Sequence, residues 1–180
     1  MTVPTTTADV STPAPEQPGE PVDPALLRRT FGSFPSGVVA VCATIDGAPV
    51  GMAASSFVTV SLDPPLVAFC VQWTSTTWPR LQGAARLGIS VLGAGHNVAA
   101  RQLASRSRDR FAGLATTVTP DGALFVHDAS AWFDCSLREV VPAGDHGIVL
   151  LDVRHSTVSP DVEPLVYHAS TFRALQRHVA

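Results

Sequence analysis

A small, mostly antiparallel β-barrel with a few short helices is the fold class this sequence predicts. Six or seven strand-like segments stand against two or three helical ones. The two kinds do not alternate regularly, which disfavours a doubly wound parallel sheet. Asp-Gly and Asp-Pro-Pro steps punctuate the strand-like segments, reversing or interrupting the chain between them.

In chain order, Asp23 is placed to cap a short helix over 25–34, with Pro24 at its first position. The run 38–45, VVAVCATI, is continuous and β-branched, and Asp46-Gly47 supplies the turn after it. The stretch 49–62 reads as one second extended segment, whose small residues from Gly51 to Ser56 would let another group approach the backbone. Asp63-Pro64-Pro65 forces a break before a third strand over 66–72. A short helix over 78–84 and a strand over 87–92 follow. Residues 96–106 form the strongest helix candidate, with Val98, Gln102 and Leu103 at helical spacing. Residues 124–141 read as one or two strands, 146–158 as a long, partly exposed strand, and 164–168 as a last short strand before a helical C-terminus.

The chain has 180 residues, 46% hydrophobic and 15% charged, a globular composition with apolar material for a sizeable core. All 12 basic residues are Arg, which excludes chemistry that needs a P-loop or Schiff-base Lys. Residues 1–24 carry Asp9, Glu16, Glu20 and Asp23 and no Arg, and are rich in Pro, Ser and Thr. That composition predicts a flexible tail followed by one domain over 25–180. The body is close to neutral and has no basic footprint for nucleic acid. Cys42, Cys70 and Cys135 are far apart, without pairing or cluster spacing, and each lies in an apolar run. They read as buried packing residues in a reducing compartment. Without a membrane-spanning run or a secretory leader pattern, a cytoplasmic protein is expected.

Nucleotide P-loop, dinucleotide-fingerprint, hydrolase-elbow and zinc-protease motifs are absent, and the six histidines show no metal-ligand spacing. Two hydroxyl clusters stand out. One is Ser55-Ser56, with Thr59 and Ser61 downstream; the other is Thr74-Ser75-Thr76-Thr77, immediately before the helix beginning at Trp78. Hydroxyls and free backbone N–H groups before a helix suit a phosphate, although Thr77 as a simple cap is the plainer alternative. Asp145-His146 follows Gly144 at a strand start, and Arg108-Asp109-Arg110-Phe111 is a polar segment with one aromatic that reads equally well as a solvated loop.

The segments FGSFPSGVVAVCA, GMAASSFVTVSLDPPLVAFCV, STTWPRL, LGISVL, DRFAG, GDHGIVLLDV and PLVYH occur in this order. In them the chain resembles the short-chain NAD(P)H:flavin oxidoreductases, the reductase components of two-component flavin-dependent monooxygenases. The resemblance covers residues 25–175 and is carried most specifically by SSFVTVSLDPPLV, STTW and GDH. It implies an FMN-binding split β-barrel, Greek-key-like, in a homodimer with flavin sites near the subunit interface. It also implies hydride transfer from a nicotinamide to a flavin, with FAD and NADH as cofactors, FMN and NADPH as alternatives, and a separate monooxygenase receiving the reduced flavin.

The same resemblance assigns residues. Ala53, Ala54, Ser55 and Ser56 match the segment along the isoalloxazine; relatives often have Thr where this chain has Ala53, so one side-chain hydrogen bond is absent there. Ser61, Leu62, Asp63 and Pro64 match the stretch that approaches the ring and defines the hydride face. Ser75, Thr76 and Thr77 match the phosphate-binding hydroxyls. Arg110 and Phe111 match a segment near the flavin or nicotinamide tail. Asp145 and His146 match the nicotinamide side, with His146 the candidate for a catalytic contact. A flavin carrier or sensor of the same architecture is the alternative reading; it has no need of Gly144-Asp145-His146. A pyridoxamine-phosphate-oxidase-like enzyme is disfavoured because no Arg-rich clamp precedes the hydroxyls.

Overall fold

The computed structural model describes residues 23–106 and 109–175. Most of the expected tail, residues 1–22, lies outside the described residues, as do Arg108 and residues 176–180. Helix α1 spans Pro24–Gly32, and the Asp23 carboxylate accepts a 2.9 Å hydrogen bond from the Ala25 N–H. The cap and the proline at the first turn are where the sequence puts them.

Strand β1 (Ser36–Gly37) leads into β2 (Val39–Ile45), and Asp46 and Gly47, at φ 52° and 75°, turn the chain into β3 (Ala48–Ala54). Two positive φ values in succession match the right-handed twist of a hairpin. Strand β2 is buried on both sides: Val39, Val41 and Ala43 enter one hydrophobic cluster, while Ala40 and Cys42 enter another. Double burial accounts for its unbroken apolar run.

The single extended segment expected over 49–62 is two strands, β3 and β4 (Val58–Leu62), which pair with different partners. The break at Ser55–Phe57 has a specific cause. The Ser56 hydroxyl accepts from the Cys70 N–H at 2.8 Å and donates to the Cys70 carbonyl at 3.1 Å. It thereby substitutes for a ladder partner and redirects the chain. Strand β5 (Pro65–Gln72) follows, then the single turn α2 (Trp78–Leu81), shorter than the 78–84 helix expected, and β6 (Leu87–Val91).

After a 3₁₀ turn, helix α3 (Asn97–Ala104) buries Ala99, Ala100 and Leu103. Val98, placed by spacing on the packing face, is 69% exposed instead. The segment 124–141 resolves into β8 (Leu124–Val126), paired with β7 (Thr116–Val118), and the long β9 (Ala131–Ala143). Strand β10 (His146–Val158) has the bounds read from the sequence. Beyond β11 (Val166–His168) the expected C-terminal helix is replaced, through Arg173, by β12 (Thr171–Arg173). Ala169 and Ser170, at φ 48° and 59°, reverse the chain, and Phe172 packs on Tyr167.

The main sheet has seven strands in the order β3-β2-β6-β9-β10-β5-β4, every neighbouring pair antiparallel. Although β3 and β5 are not hydrogen-bonded neighbours, they touch, so the sheet is rolled into a barrel that is open along one seam. Phe69, Trp78, Leu87, Ile89 and Leu151 fill the interior. Among the described residues, no helix is long and apolar enough to cross a membrane.

Candidate active site

The seam between β3 and β5 opens into a cleft of about 690 Å³, within the usual range for a small-molecule site. Ala53, Ala54, Ser55 and Ser56, at the end of β3, form one wall. Cys70 and Gln72, at the end of β5, form the other, with His146 paired across to Gln72. The loop Thr74–Thr77 and the residues from Leu103 to Arg106, with Arg110, complete it. The fold thus gathers Ser55, Ser56, the hydroxyls of Thr74–Thr77, Arg110 and His146 around one space, and leaves Thr59 and Ser61 outside it.

At one end, the half-buried Arg110 guanidinium donates through Nη1 to Thr77 Oγ1 at 2.7 Å and to the Gly51 carbonyl at 3.1 Å. Both acceptors are neutral. A half-buried cation with only neutral partners leaves its charge to be met by an anion. The cap of α2 comes from Ser75, whose hydroxyl accepts from the Trp78 N–H at 3.1 Å; Thr77 makes no side-chain cap bond. With only four residues, α2 adds little dipole, so the positive potential here comes from arginine side chains. Arg80 and Arg106 stand with Arg110 around a hollow that adjoins the cleft across Thr76 and Thr77. The sequence reading missed both. Arg80, three residues beyond Thr77, carried a local signal for it; Arg106 did not.

Gly51 is required by this arrangement. A Cβ there would lie 2.5 Å from Cys42 Sγ and 2.7 Å from Phe111 Cζ. Part of the small-residue stretch in β3 therefore admits Phe111, which packs into the core cluster and lines the arginine hollow rather than the cleft. Arg110 is fixed between that anchor and Thr77, so residues 109–111 are organised rather than a solvated loop.

At the other end, His146 Nδ1 donates to Asp145 Oδ1 at 2.7 Å. This bond holds the exposed Asp145 carboxyl below the usual carboxylate range. Asp145 itself stays outside the cleft and acts on His146, whose Nε2 has no partner among the described residues. Trp73 braces the turn: Nε1 donates to the Gly144 carbonyl at 3.2 Å, its N–H donates to the Asp145 carbonyl, and its ring covers Gly147.

Ser61, Leu62, Asp63 and Pro64 do not join the cleft of this chain. They form the β4–β5 hairpin, beside the first residues of β5, whereas the cleft is lined by its last ones. A strand of that length puts roughly 20 Å between the two. Leu62 is 96% exposed there. The cysteines divide in the same way: Cys42 and Cys135 are buried in the core, which pushes each thiol up to about 12, whereas Cys70 is half-buried at the cleft.

A cleft with small residues and backbone at one wall, hydroxyls and arginine at one end and an imidazole at the other fits a flat ring with a phosphate tail. Comparison with known proteins gives the same direction. The family described as flavin reductase like domain matches residues 31–176. A flavin reductase of Pseudomonas putida is 38% identical over 148 residues, covering 82% of this chain and 87% of that protein. The reductase subunit of a flavin-dependent monooxygenase from Rhodococcus jostii is 32% identical over 157 residues, covering 87% and 80%. The structure of a Streptomyces globisporus NADH:FAD oxidoreductase, in complex with NAD and FAD fragments, superposes with a TM-score of 0.81 at 36% identity, covering 88% of this chain and 98% of that one. A split-barrel fold, a cleft at its seam and these matches together make this chain a member of the flavin reductase like domain family.

Proposed function

We propose that this chain is an NADH-dependent flavin reductase that uses FAD, with FMN as the alternative flavin, and hands reduced flavin to a separate flavin-dependent monooxygenase. The observation that carries the reading is the seam cleft, with a cationic, hydroxyl-lined end and an imidazole at the other. The monooxygenase partner is supported by the name of the Rhodococcus jostii relative, and FAD and NADH by the Streptomyces globisporus structure.

When bound together, nicotinamide and flavin supply the hydride chemistry themselves. The chain supplies position and charge. Thr76, Thr77 and Arg110 hold the flavin phosphate; the Ser55 hydroxyl and the backbone from Ala53 to Ser56 hold the ring edge. His146, oriented by Asp145 and by the Trp73-braced turn, positions the nicotinamide against it. This assignment asks for no nucleophile or strong base.

A homodimer belongs to the same reading. Edge strand β4 leaves Val58, Val60 and Leu62 exposed, an apolar stripe that a second copy would cover. A second copy would also give the Ser61–Pro64 hairpin a ring to approach. The domain is taken as 25–180 with a dispensable tail over 1–24, supported by the family match over 31–176. A cytoplasmic location is supported by the three free cysteines.

Following NADH and NADPH oxidation with FAD, FMN and riboflavin tests the reading. Flavin-dependent oxidation of NADH is expected. Tight flavin binding without turnover would replace it with the carrier reading. A chain beginning at Asp23 should keep its turnover, and light scattering on Leu62→Glu should show monomers where the natural chain is dimeric.

A further inference from the structure

The reading above uses Thr76, Thr77 and Arg110 but gives no role to Arg80 and Arg106, which stand with them around the arginine hollow. It measures about 320 Å³; Arg80, Arg106 and Arg110 line it with Thr76, Thr77 and Phe111, and among the described residues no carboxylate does. Three arginines of the main sheet and its loops pair with acids: Arg86 with Asp134, and Arg138 and Arg154 with Asp152; Arg101 instead lies over the Phe172 ring. Here, among the described residues, neither Arg80 nor Arg106 has an acidic partner, and Arg110 bonds only to neutral oxygens. Three guanidinium groups around one space repel one another unless an anion lies between them.

Connectivity says which anion. Thr76, Thr77, Arg106 and Arg110 line both the cleft and the hollow, whereas Ser56, Cys70 and His146 line only the cleft. A flavin mononucleotide lying along the cleft would end at the shared wall. A flavin that carries a second phosphate would place it past that wall, beside Arg80. His146, the residue assigned to the nicotinamide, lines the cleft and not the hollow.

We infer that this hollow is a second phosphate subsite, with Arg80 and Arg106 as the residues that make the chain favour a flavin diphosphate nucleotide over the mononucleotide. The inference rests on the flavin reading of the cleft. Its test is flavin affinity in the natural chain and in Arg80→Gln, an exposed position where the change leaves folding intact. Fluorescence titrations would use FAD, FMN and riboflavin, with inorganic pyrophosphate as competitor. The natural chain should bind FAD more tightly than FMN. Arg80→Gln should raise the FAD Kd about tenfold, as loss of a charge-assisted contact does, and leave FMN and riboflavin within about twofold; Arg80→Lys should recover part of the loss. Pyrophosphate should compete with FAD less well in the Gln variant.

Parallel changes in FAD and FMN affinity, or no change in either, would overturn the subsite while FMN-supported NADH oxidation kept the cleft reading in place. A shift confined to the KM for NADPH would assign the hollow to the nicotinamide nucleotide and overturn the proposal. Failure of the natural chain to bind any flavin would overturn the cleft reading and the subsite with it.

Discussion

Replacing Thr77 with Val removes one hydroxyl and little volume, so it isolates the anion end of the cleft. In the structure that hydroxyl accepts the Arg110 guanidinium at 2.7 Å. Its loss takes a partner from a charged donor and a donor from the phosphate at once. Bonds to charged groups contribute roughly 1.5–3 kcal/mol when buried. Arg110 is only half-buried, and solvent screening brings the expectation to about 1–2 kcal/mol, which is roughly a 5- to 30-fold rise in Kd. The rise should appear for FMN and FAD and be absent for riboflavin, which has no phosphate. Arg110→Met should follow the same pattern with a larger amplitude, since it removes the charge itself. Equilibrium titration of flavin fluorescence at fixed ionic strength reads all three ligands on one protein. Equal losses for riboflavin and FMN would show that Thr77 shapes the loop rather than the phosphate site, and unchanged affinities would refute the assignment.

His146→Ala should raise KM for NADH and lower kcat/KM by several-fold to about tenfold; a fall in kcat of ~100-fold that varies with pH would instead make the imidazole a proton donor. Gly51→Ala should destabilise the fold by about 1–3 kcal/mol by overpacking against Cys42 and Phe111. A melting temperature equal to that of the natural chain would contradict the close approach. Alkaline pH should weaken the fold through Cys42 and Cys135, whose thiols burial pushes from 9.0 to about 12. The unfolded chain gives up those protons first, so stability is intact below pH 9 and declines as pH rises toward 12, by ~1.4 kcal/mol per pH unit for each thiol. Urea midpoints at pH 8 and pH 10 check the slope, and equal midpoints would rule it out.

Where a local rule decided the structure, the sequence was readable. Asp23 and Pro24 start α1, Asp46-Gly47 turns β2 into β3, and β10 runs over His146–Val158. The misread segments were decided by distant partners. Nothing in the run 49–62 marks a break, because the break depends on Ser56 finding Cys70, 14 residues on. Val98 fits a helical stripe with Leu103, but α3 meets the barrel through Ala99, Ala100 and Leu103 and leaves Val98 exposed.

The site divides along the same line. The hydroxyls at 75–77 and the Asp145-His146 step are contiguous, so a motif could flag them. What gives the hydroxyls an electrostatic partner is Arg110, 33 residues beyond Thr77, held against β3 at a position where any side chain larger than glycine would displace Phe111. The sequence reading rested the anion site on hydroxyls and free N–H groups before a helix over 78–84; that helix is one turn, and the positive charge comes from the guanidinium groups of Arg80, Arg106 and Arg110. Strand β3 therefore serves both ends of the cleft. Gly51 seats the segment bearing Arg110, and Ala53 to Ser56 lie along the space for the ring. A substitution at Gly51 should consequently disturb phosphate affinity as well as stability, although its own Cβ faces Cys42 and Phe111 and not the cleft. That coupling explains why a run of small residues at this place in the chain carries more functional information than its composition suggests.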